Sequence, residues 1–158
     1  GGAVMGMDVF GLNPKLKSEP PKIDWESKPS REETDAYFEA KAKWETENPG
    51  YYFRNNVWWW HPLWDFVCIS CGDFMTEEDA KEGHHNGGHE IDEETAEKIV
   101  ERLTFLLKVG GVKKFEEERK AHLESLPEDD FDRNYPFSVE NVEEFVEFVK
   151  NSGGFQIC

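Results

Sequence analysis

The clearest pattern in the chain is a helical stripe in its last third. Ala96, Ile99, Val100, Leu103, Leu106 and Leu107 fall at 3.6-residue spacing, with Asp92 placed to cap the start and Gly110-Gly111 to stop the helix. A second, more charged helix is predicted over 112–125, ending before Pro127. A third opens at Ser138, with Phe137 and Val142 spaced as a hydrophobic staple and Val142, Phe145, Val146 and Val149 as its apolar stripe. Ser152-Gly153-Gly154 ends it, and Phe155-Gln156-Ile157 reads as a short strand.

The first half is less regular. Ser30 followed by Glu33 forms a capping-box pattern, so a helix is expected over about 31–47, with Tyr37, Ala40 and Trp44 as a narrow stripe. The stretch 51–71, YYFRNNVWWWHPLWDFVCISC, holds too many aromatics for an exposed loop and belongs to a core. Its first part suits a hairpin turning at Asn55-Asn56, and Pro62 suits the first residue of a short helix carrying Leu63, Trp64, Phe66 and Val67. Four prolines among charges make 7–29 an expected extended arm, and 1–6 reads as a non-native remnant ahead of Met7.

Together these predict an α+β fold: one mostly helical domain over 30–158 with a few short strands. Within it, 30–48 is an added helix, 51–91 an aromatic and metal-binding segment, and 92–158 an acidic helical segment. With 158 residues the chain is long enough for a real core, and 14% aromatics argue against disorder. The 34 acidic residues against 18 basic ones give a net charge of −16. That disfavours binding to nucleic-acid backbone or to anionic membranes, because both rest on Lys and Arg. No apolar run reaches the ~20 residues of a membrane span.

Chemistry enters with three cysteines, Cys68, Cys71 and Cys158. An odd number, two of them in C-x2-C, does not suit a disulfide-stapled secreted domain and points to a reducing, cytoplasmic setting. Cys68-x2-Cys71 is followed by His84 and His89 as C-x2-C-x12-H-x4-H, within the spacing of a Cys2His2 zinc site. His85 is the alternative to His84. Gly72 permits a knuckle turn, and Thr76 with Asp79 opens a short helix over 77–82 that returns His84 toward the cysteines. The expectation is a structural zinc ion in a treble-clef-like knuckle. Buried apolar cysteines and a redox C-x2-C are the alternatives. A single coordinating His would leave an open position for hydrolysis, with Glu90 as the nearest base. Elsewhere no Walker loop, G-x-S-x-G or H-E-x-x-H occurs. His61 and His122 read as ordinary surface or core residues, and Trp58-Trp59-Trp60 as core before binding platform.

The charge is uneven: residues 1–70 carry net −3, 71–110 net −7 and 111–150 net −6. Solvated helix faces explain it, and a phosphate-mimicking surface is the sharper alternative.

The blocks MDVFGLNP, YFRNNVWWWHPLWDFV, GHHNGGHEID and YPFSVENVEEFVEFVKNSGGFQIC resemble a small uncharacterised family of bacteriophage and bacterial proteins. Members often read G-H-x-N-D-G where this chain has Gly83-His84-His85-Asn86-Gly87-Gly88, and the missing Asp weakens any catalytic role for that loop. The resemblance implies a phage or bacterial origin, makes 31–47 an insertion and supplies no mechanism. The resulting expectation is a non-enzymatic, zinc-stabilised binding or accessory protein with a protein partner. A metal-dependent hydrolase and an acidic nucleic-acid mimic are the alternatives.

Overall fold

Four strands find each other from opposite ends of the chain. In the computed structural model, which describes residues 6–158, β1 (Gly6–Gly11) pairs antiparallel with both β2 (Tyr52–Asn56) and β4 (Phe155–Ile157). β3 (His89–Ile91) pairs antiparallel with β4, giving the order β2-β1-β4-β3. Residues 1–5 lie outside the described chain, and with them most of the expected remnant. The expected arm over 7–29 therefore begins as a central strand. Strand alternation explains it: Met7 and Val9 point into the core, and a residue between two paired neighbours has no water-facing edge. Beyond Gly11 the segment lies along the body, where Leu12, Asn13 and Lys15 donate to the carbonyls of Gly154, Ser152 and Asn151.

The helices are α1 (Arg31–Glu47), α2 (Val57–Ser70), α3 (Glu77–Glu82), α4 (Glu93–Val109), α5 (Gly111–Ser125) and α6 (Val139–Ser152). Five match their expected spans closely, and their caps are in place. Ser30, Thr76, Asp92 and Ser138 each accept a backbone N–H three residues on. Gly110, at φ 84°, ends α4 in the left-handed conformation and starts α5. On the core side of the sheet, α2, α4 and α6 bury Trp60, Leu63, Trp64, Ile99, Leu103, Phe145 and Phe148 against Val9, Phe53, Phe155 and Ile157.

The exception is α2, where no hairpin forms. Asn56 is not a turn residue but the N-cap of a 14-residue helix, its side-chain oxygen accepting from Trp59 N at 3.1 Å. Pro62 thus sits inside the helix, not at its first position. It lies only one turn in, where the cost of a missing donor falls on a single carbonyl. The early start puts the tryptophans, His61 and Asp65 on one continuous helix. Asn56→Ala should lower stability by about 0.5–2 kcal/mol in urea unfolding, with Asn56→Asp restoring it.

Candidate functional site

The site begins with two indoles. Trp60 and Trp64, four residues apart and so on one face of α2, stack at 5.5 Å between ring centres, nearly parallel at 11°. Both are fully buried, so each indole N–H needs an acceptor, and α3 supplies them. Trp60 Nε1 donates to the Gly83 carbonyl at 2.8 Å, and Trp64 Nε1 lies 3.3 Å from the carbonyls of both Asp79 and Ala80. The short helix is thereby hung from α2. Gly83 sits so tightly on the Trp64 ring that a Cβ there would lie 2.1 Å from it.

This fixes the next residue, His84, beside the neighbouring face of α2. His84 Nε2 lies 2.8 Å from Asp65 Oδ1, and its Nδ1 lies 2.8 Å from Nδ1 of His61. His61 and Asp65 are again four apart. A carboxylate only accepts, so His84 donates from Nε2 to Asp65. One of the two facing Nδ1 atoms donates to the other. Burial, with the adjacent His84 adding to it, holds His61 below its ordinary imidazole pKa.

The pair opens onto a cavity of about 450 Å³ between α2, the loop after α3, α5 and the 3-10 turn Phe131–Asn134. Arg119, His122, Asp132 and Tyr135 line its other walls. Arg119 donates from Nε and Nη2 to the Tyr135 carbonyl at 3.2 and 3.0 Å, tying the turn to α5. Trp58 packs behind it against Phe131 and Tyr135, with ring centres 5.1 and 4.9 Å away. Of the tryptophan run, then, only Trp60 is fully buried; Trp58 and Trp59 are half-buried.

The four expected zinc ligands occupy distinct surroundings. Cys71 is the C-cap of α2, fully buried in the hydrophobic core, and its N–H donates to the Val67 carbonyl at 2.9 Å. Cys68 is half-buried one turn earlier. Both cysteines thus belong to the end of a helix, where a knuckle loop was expected, and burial pushes both thiols up to about 12. Arg102 of α4 clamps the residues that follow. It donates from both terminal nitrogens to Asp73, at 2.8 and 2.9 Å, and to the Ser70 carbonyl. His89 Nε2 lies 2.8 Å from Asp79 Oδ1, while Asp79 Oδ2 completes the capping box with Thr76 N. The alternative ligand His85 is exposed, and so is Glu90. Gly88 takes a positive φ of 91°. Among the described residues no group of three or more His, Cys, Asp or Glu side chains converges as metal ligands do.

His84 is legible in the sequence, His61 and His122 read there as ordinary residues, and Asp65, Arg119 and Tyr135 go unmarked. The signal for His61 and Asp65 was their spacing of four. It becomes visible only once the helix is started at Asn56 and not at Pro62. Nothing in the local sequence ties α5 and the 131–134 turn to this corner. Comparison of the chain with family models, with curated proteins and with solved structures returns no match.

Proposed function

We propose that this chain is a non-enzymatic binding or accessory protein, and that its ligand occupies the cavity beside His61 and His84. One observation carries the reading: three of the five histidines, at positions 61, 84 and 122, come from three separate elements to line a single cavity. Such convergence of polar, ligand-capable side chains in one concavity is what binding sites share. The test follows the histidine side chains by 15N NMR while zinc chloride and inorganic phosphate are added separately. His61, His84 and His122 should shift ahead of the exposed His85 with at least one probe. Equal, weak shifts of all histidines with both probes would remove the cavity from the reading.

A bound zinc ion belongs to this proposal as the C-x2-C and histidine spacing suggested. Its support is that sequence spacing, since among the described residues these side chains do not converge. Hydrolysis at an open metal position remains the enzymatic variant of the proposal. The phosphate-mimic variant draws on the exposed carboxylates Glu93, Glu94, Glu97 and Glu101 of α4, where Lys98 interrupts the row.

A further inference from the structure

We propose that the cavity is a divalent transition-metal site in which His61 and His84 ligate through their Nδ1 atoms and Asp65 orients His84 from behind. The inference rests on the cavity reading above and names its ligand.

The two Nδ1 atoms face each other at 2.8 Å, although one ring stands on α2 and the other follows α3. Zinc–imidazole bonds of about 2.0–2.1 Å at a tetrahedral angle place two ligating nitrogens about 3.3 Å apart. Opening the pair by about half an ångström therefore admits an ion. His84 already has the arrangement that metal-bound histidines keep, its far nitrogen donating to a carboxylate. Ligation needs a lone pair on both Nδ1 atoms, so the hydrogen they share leaves that position as the ion binds.

Charge favours the same occupant. Among the described residues Arg119 is the one Lys or Arg on the cavity wall, against Asp65 and Asp132, in a chain of net −16. Two carboxylates against one guanidinium favour a cation there. Imidazole and carboxylate donors without thiolate suit zinc, copper, nickel or iron rather than calcium or magnesium. Two protein nitrogens leave positions for water or for an oxygen donor entering the cavity, which is how such a centre would hold a second, anionic ligand near Arg119.

Cobalt(II) chloride added to the full chain tests this, because its visible spectrum reports the donor atoms. One equivalent should give d–d bands without sulfur-to-cobalt charge transfer, and 15N NMR of the zinc-loaded protein should show the His61 hydrogen on Nε2. Cys68→Ser should leave the spectrum unchanged, and His61→Ala should abolish it. Asp65→Asn, at an exposed position that a folded variant tolerates, should weaken binding 10–100-fold. A charge-transfer band that disappears in Cys68→Ser would overturn the proposal in favour of the cysteine set. Failure of cobalt and zinc to bind, with phosphate still shifting the cavity histidines, would overturn it and leave the cavity reading standing. Failure of all three probes would end both.

Discussion

Trp60→Ala should remove about 3–5 kcal/mol of stability. The ring is fully buried, stacks on Trp64, and meets Phe145 edge-on at 5.8 Å and 77°. Its removal empties the junction of α2, α6 and the sheet. It also strips the Gly83 carbonyl of its 2.8 Å donor, and an unsatisfied buried acceptor is itself destabilising. Domains of this size are stable by about 5–15 kcal/mol, so the variant should unfold at much lower urea. Its melting temperature should fall by about 6–20 °C. Trp59→Ala is the control, since Trp59 is half-buried and makes no such bond; its loss should be clearly smaller. Equal midpoints for the two variants would mean that the indole pair does not anchor α3.

The second large effect is expected at Gly83. Its φ is −64°, a conformation alanine adopts freely, so the obstacle is space and not backbone strain. A Cβ would lie 2.1 Å from both Nε1 and Cε2 of Trp64, a buried ring with no free direction to move. Gly83→Ala should therefore cost about 1–3 kcal/mol or more. It should also push His84 away from His61 and Asp65, since the clash falls on the adjoining residue. Gly87→Ala, four positions on, meets nothing within 4 Å and should stay within about 0.5 kcal/mol of the parent. Urea midpoints separate the two variants, and the His61 and His84 15N resonances report the lost pair. An unchanged His61–His84 signature in Gly83→Ala would show that the close approach does not position the site.

Much of this architecture was readable from local signals. A helix such as α4 declares itself because its cap, its apolar period and its terminal glycine all lie within twenty residues of one another. The same holds for α6 and for the capping box of α3. What escaped depends on partners distant in sequence. Met7 and Val9 alternate like any half-buried strand, yet the prolines that follow made the segment look like an arm. Only pairing with residues 52–56 and 155–157 gives it a place in the sheet. The start of α2 escaped for a different reason: Asn serves equally as turn residue and as cap, and Pro62 offered a competing helix start. The site inherited that error. With the helix begun at Pro62, His61 fell outside it, and the relation to Asp65 vanished.

The order of strands also governs how the molecule is made. Val9 lies opposite Ile157, so the sheet joins segments separated by almost the whole described chain. During synthesis β1 can pair with β2 once residue 56 has emerged, but its other edge stays open until β4 leaves the ribosome. Such remote pairing slows folding, because the loop entropy is spent before the contacts form. In the interval the nascent chain displays an unpaired strand edge beside uncovered tryptophans, the surface that a chaperone or a neighbouring nascent chain would meet first.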